Sequence, residues 1–151
     1  MPSDSSVSAL PAGTELFAHG ADVGVRGRGA SVEAAFVNAA LALMSVMVNP
    51  EAILLESRVS VTCAAPDLEM LLVGWLNEII FEVSAHKMLF GSFEVAIHRR
   101  DGGWALTGVL SGERIDPLRH RPAVEVKGAT YTELSVRQDH GVWCAQCVVD
   151  V

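Results

Sequence analysis

Two apolar runs, VEAAFVNAALALMSVMV and LEMLLVGWLNEIIFEV, limit what this chain can fold into more than any other feature. In the first, Val32, Ala35, Phe36, Ala39, Ala40, Leu43, Met44 and Met47 recur at i, i+3, i+4 spacing, which predicts a helix with Ser31 as its N-cap. Asn49-Pro50 stops it, because the residue before a proline is pushed out of helical conformation. In the second, Pro66-Asp67 sets the start, and Leu68, Leu71, Leu72, Trp75, Leu76, Ile79, Ile80 and Val83 form a wide stripe. Glu69, Asn77, Glu78 and Glu82 mostly lie off that stripe. Both runs are broken by Asn, Ser or Glu and fall short of the about 20 clean apolar residues of a membrane span.

The remainder reads as strands. Thr14 to Ala18, Val23 to Gly27, Arg58 to Cys63 and Phe93 to Ile97 alternate or are strand-like. Asp101-Gly102-Gly103 then turns the chain into a hairpin partner from Trp104 to Leu110. Val124 to Tyr131, Glu133 to Arg137 and Val142 to Val151 follow. The order is strand, strand, helix, strand, helix and then strands, which is not a repeating βαβ pattern. The expected class is α+β: a largely antiparallel or mixed β-sheet with two main α-helices packed on it, in one domain. Residues 1 to 13, rich in Ser and Pro, are expected to be a loose tail, and 14 to 151 the domain.

Half of the 151 residues are hydrophobic and 19% are charged, enough apolar material for a core and no sign of global disorder. The net charge of -7 argues against a surface that grips nucleic acid by itself, which needs clustered Lys and Arg. RNA or DNA would then be reached through a partner. The first residues lack the basic and apolar regions of a signal peptide, and three cysteines, an odd number, suit reduced thiols in a cytoplasm.

The chain closes on WCAQCVVDV, where Cys144 and Cys147 suggest redox or zinc chemistry. On a strand those two side chains point to opposite faces, so they cannot close on each other or on one zinc. The expectation is that they pack as small buried residues. The following Asp150 and Val151 bring a side-chain and a main-chain carboxyl close together, the clustered oxygens that hard cations prefer. In His19-Gly20-Ala21-Asp22 a carboxylate lies near a histidine; it is either a turn-stabilising Asp or a ligand or base. The stretch from 112 to 134 collects Glu113, Asp116, His120, Glu125 and Lys127, which on local grounds reads as surface ion pairing. There is no nucleophile elbow and no self-sufficient catalytic set.

Taken in order, HGADVGV, the two helical runs, GERIDPLRH, EVKGATY and the closing W-x-A-Q-x-V-V-D-V resemble the archease family from about Glu15 to Val151. The likeness departs from the family pattern at Gly20, where Thr is usual, at Ala34, where a Glu would complete a capping box, and at Thr132, where His is frequent. The resemblance implies a small non-enzymatic protein that activates an RtcB-type, GTP-dependent RNA ligase. Such a protein promotes guanylylation and multiple turnover of the ligase in tRNA splicing and RNA repair. It implies a divalent-metal site at Asp22, Asp150 and Val151, holding Ca²⁺ or alternatively Mg²⁺ or Mn²⁺, and an activating role for Lys127. His19 and His120 are secondary candidates. The partner is then the ligase, RNA is met only through it, no membrane is involved, and the location is cytoplasmic. Two other classes stand beside this one: a stand-alone metal-dependent hydrolase or nuclease built on Asp22 and Asp150, and a general chaperone or adaptor.

Overall fold

The computed structural model describes residues 10–151. Eight strands and three helices form two antiparallel sheets with the two long helices between them. The first sheet holds β1 (Thr14–His19), β2 (Asp22–Gly29), β6 (Gly128–Ala129), β7 (Ser135–Asp139) and β8 (Val142–Asp150). Its order is β1-β2-β8-β6, with β7 also paired to β8. The second sheet holds β3 (Ser57–Ala65), β4 (Met88–Arg100) and β5 (Gly103–Arg114) in the order β3-β5-β4. The α+β class stands as expected, and the strands divide between two sheets.

The reason lies in the helices. α1 (Val32–Met47) is capped by Ser31, whose hydroxyl accepts from the Ala34 amide at 3.1 Å. α2 (Leu68–His86) is capped by Asp67, whose carboxylate accepts from Met70 at 2.8 Å. Both caps satisfy amides that helix geometry leaves unbonded. α1 buries Ala42 as completely as the predicted stripe, and Val37, Leu41 and Val46 also pack on the core. A helix apolar on so many sides cannot lie on one sheet with its back to water, so it is enclosed from both sides. The helices are fastened together where the Trp75 indole N–H donates to the Phe36 carbonyl at 3.0 Å. Gly27 lets α1 sit close on β2: a Cβ there would come within 2.2 Å of the Ala35 carbonyl oxygen and the Ala39 nitrogen.

Three segments differ from expectation. Residues 10–13, placed in the loose tail, form a turn in which Thr14 donates to Pro11 at 3.1 Å and Gly13 accepts from Arg28 at 2.8 Å; the rest of that tail lies outside the described residues. Val124 to Tyr131 is not a continuous strand, because only Gly128 and Ala129 pair with β8. Its first part instead straps across the molecule, tied by the Ala123 amide to the Met47 carbonyl at 2.9 Å. β4 begins at Met88, five residues before the alternation becomes visible, since its first residues are buried on both faces.

Candidate functional site

The β1–β2 hairpin positions the first functional side chain. His19 and Asp22 are paired across a two-residue turn whose first residue, Gly20, has φ +61°. Left-handed backbone at that position suits Gly and is strained for the Thr usual in the resembling family. β2 then runs antiparallel to β8, with Val23 opposite Val149. One step outward, the register sets Asp22 opposite Asp150, and side chains at opposed positions share a face. The Asp22 carboxylate also accepts from the Val151 amide at 3.3 Å. From the other side of β8, the Lys127 amide donates to the Asp150 carbonyl at 2.7 Å, and Gly128 is the register partner of Asp150.

Five predicted positions, His19, Asp22, Lys127, Asp150 and Val151, are thus gathered at one end of one sheet. The tip is wet: His19, Lys127 and Asp150 are exposed, and Asp22 and Val151 are half-buried. Among the described residues, neither aspartate nor Lys127 makes an ion pair. The Asp22 and Asp150 carboxylates and the main-chain oxygen of Val151 are all-oxygen donors, the kind that Ca²⁺, Mg²⁺ or Mn²⁺ takes. Among the described residues no three His, Cys, Asp or Glu side chains cluster tightly enough to hold a metal ion by themselves. The tip could therefore supply part of a cation's oxygen shell, with water or a partner supplying the rest.

His120 is somewhere else. α3 (Pro117–His120) packs beside Asn49 and Ile53, where the His120 ring is 2% exposed. Its Nδ1 accepts from the Asp116 amide at 2.8 Å, so its proton sits on Nε2, which donates to Glu113 at 3.0 Å. Glu113, buried on β5, also accepts from the Leu54 amide at 2.7 Å and from the Arg119 guanidinium. The Leu54 amide, with Arg119 and His120 after it, outweighs burial and holds the Glu113 carboxyl down at about 2. This polar set fastens α3 and the loop before β3, and it engages both oxygens of Glu113 and both ring nitrogens of His120. The ionisable stretch read locally as surface pairing contains a buried network.

The cysteines pack as expected. Cys147 belongs to the core with Val25, Ala145 and Val149, whereas Cys144 is buried on the opposite face, and all three cysteines are free thiols. Burial pushes the Cys147 thiol up to about 12 and the Cys63 thiol up to about 11, which makes both poor nucleophiles.

A small α+β protein whose sheet end gathers two aspartates, a lysine and a histidine is the class that fold and tip define. The profile of the Archease protein family matches residues 15–151, and the chain belongs to that family. It is 38% identical to the protein archease of Pyrococcus furiosus over 138 residues, covering 91% of this chain and 97% of that one. It is 36% identical to the Methanosarcina mazei protein archease over 138 residues, covering 91% and 94%. Its fold is similar to the solution structure of Methanobacterium thermoautotrophicum protein 1598, with a TM-score of 0.82 at 32% identity over 92% of this chain and 99% of that one. It also shares its fold with a crystal structure from Thermotoga maritima described as an archease, possible chaperone. There the TM-score is 0.55 at 18% identity over 91% of this chain and 96% of that one. No helix of the described residues is long and apolar enough to cross a membrane.

Proposed function

We propose that the protein is a cytoplasmic, non-enzymatic activator of an RtcB-type, GTP-dependent RNA ligase in tRNA splicing and RNA repair. The observation that supports this reading is the tip, where the β2–β8 register, continued one step beyond Val23 and Val149, brings Asp22 and Asp150 to one sheet end, with the Lys127 main chain bonded to Asp150. Family membership points the same way. A bound divalent cation would supply positive charge to organise phosphate oxygens. Asp22, Asp150 and the main-chain oxygens of Val151 would hold it, and Lys127 would offer a movable cation beside it. An acidic chain is drawn to a positive nucleotide-binding mouth, so the net charge of -7 favours docking on a ligase.

The test uses purified components. Adding this protein to the ligase and GTP is expected to speed labelling of the ligase and to permit several ligations per ligase molecule. Absence of any acceleration with a ligase of the same organism overturns the reading. Lys127→Ala is expected to lower stimulation with no change in Tm, because the side chain is exposed and unpaired among the described residues.

The hydrolase reading finds no support at the tip. Of the two histidines weighed as partners for Asp22 and Asp150, only His19 lies there, and among the described residues no Ser, Thr or Cys nucleophile is paired with it by a hydrogen bond. Release of product from RNA or GTP by this protein alone would restore that reading. The Thermotoga protein's description as a possible chaperone keeps protein binding as the common element of both remaining readings.

A further inference from the structure

α2 carries an aromatic side chain that the fold does not use. Phe81 is 54% exposed, on a helix otherwise buried along most of its length. Among the described residues its aromatic neighbour is His86, in an edge contact with centroids 5.5 Å apart. Helical spacing places Asn77 and Ser84 on either side of it, at i-4 and i+3. Both neighbours are tied to something specific. Asn77 accepts from the Ala129 amide at 2.9 Å, so this face of α2 borders the segment that carries Lys127 and pairs with Asp150. Ser84 lies at the mouth of a cavity of about 570 Å³ between the C-terminal end of α2 and the strap before Lys127.

The cavity is a socket. Met47, Leu89, Ile115, Val124 and Val126 give it apolar walls, and Lys87 stands at its rim. Val126 is 5% exposed and is followed directly by Lys127 and Gly128, both hydrogen-bonded or paired to Asp150. The socket wall therefore ends one residue before the tip lysine.

We infer that Phe81 and the adjacent socket form the docking surface through which a protein partner is seated so that its site meets the Asp22–Asp150 tip. Charge decides what kind of partner fits. Glu78, one helical turn from Phe81, and Glu125, in the socket wall, make no ion pair among the described residues, and the chain as a whole carries a net charge of -7. The complementary surface has a hollow for Phe81, an apolar side chain for the socket and a surplus of Lys and Arg around them. A half-exposed aromatic anchor beside a hollow, ringed by polar groups, is how protein interfaces concentrate their affinity. The net charge of -7 disfavours an anionic membrane surface or a nucleic acid as the occupant.

The inference rests on the ligase reading, and the experiment separates the two. Full-length Phe81→Ala, Ser84→Trp, Asp22→Ala and Thr62→Ala proteins are titrated against purified ligase, with Kd and the rate of ligase guanylylation both measured. Phe81→Ala, and Ser84→Trp by plugging the socket mouth, are expected to raise Kd by about tenfold or more while reaching wild-type stimulation at saturation. Asp22→Ala is expected to lose stimulation at every concentration, and Thr62→Ala, on the far sheet, to match wild type. Wild-type stimulation together with wild-type Kd for both Phe81→Ala and Ser84→Trp overturns the docking surface alone. Failure of the wild-type protein to stimulate overturns the ligase reading and this inference with it.

Discussion

Two clusters of ionisable residues behave in opposite ways. At the tip, Asp22 and Asp150 sit opposite each other and, among the described residues, have no counter-ion. At α3, Glu113 is buried and accepts from Leu54, Arg119 and His120 at once. Like charges brought together and left unpaired cost stability, and a fold keeps them where something outside the chain compensates. Charges that are fully paired inside the chain hold structure and offer nothing to a ligand. A cluster rich in acids and histidines is thus not a site until its hydrogen bonds have been counted.

Exchanging the roles of the clusters would break this comparison. The largest expected effect is loss of all ligase stimulation, and of divalent-cation binding measured by calorimetry, in Asp150→Ala and on removal of Asp150 and Val151. Asp150→Ala should keep or slightly raise its Tm, since it relieves two unpaired like charges, whereas the two-residue removal should lower Tm somewhat, because it also deletes the Asp150 carbonyl that Lys127 binds and the Val151 side chain packed on the core. Glu113→Gln should do the reverse. It is expected to give the largest fall in Tm of these variants, because Arg119 and His120 lose a charged acceptor, and to stimulate normally below its own Tm. A Glu113→Gln protein that is as stable as wild type but inactive would put the working site at α3.

A pH titration of stability sharpens the point. The Glu113 carboxyl is held at about 2 against an ordinary 4.5. A depressed carboxyl stabilises the fold at every pH above its unfolded value, and that contribution fades as pH falls through the folded one. Wild-type Tm should therefore drop between about pH 4.5 and about pH 2, and Glu113→Gln should show a shallower drop over that window. The smallest effect is expected from the cysteines. Cys147→Ala removes one buried sulfur and should cost about 1 kcal/mol by chemical denaturation, with stimulation unchanged. Loss of activity in a folded double Cys144→Ala, Cys147→Ala protein would return redox chemistry to consideration.

Much of this was legible residue by residue. Ser31 and Asp67 announced both helices, and the alternation of WCAQCVVDV put its cysteines on opposite faces. Other signals were present but local reading passed over them. Ala42, Val37 and Leu41 made α1 apolar beyond one stripe, which is what requires a second sheet. Val124 to Tyr131 alternates like a strand, yet most of it finds no pairing partner and straps over the socket instead. Phe81 could have been noted from its spacing to Asn77, since neither shares the stripe, but only burial shows that it stays uncovered.

The sequence by itself determined the α+β class, the helix ends and the packing role of the cysteines. These follow from short-range rules: period, cap chemistry and the alternation of a strand. It carried as well, through resemblance to a family, the names of Asp22, Lys127, Asp150 and Val151. Only the tertiary structure decided that these residues meet, that His120 does not join them, and that Phe81 stands beside them uncovered. Those facts depend on the register of β2 against β8 and on which buried groups satisfy one another. The β2–β8 pairing and the bond from Val151 to Asp22 span more than a hundred residues, and no local pattern records them.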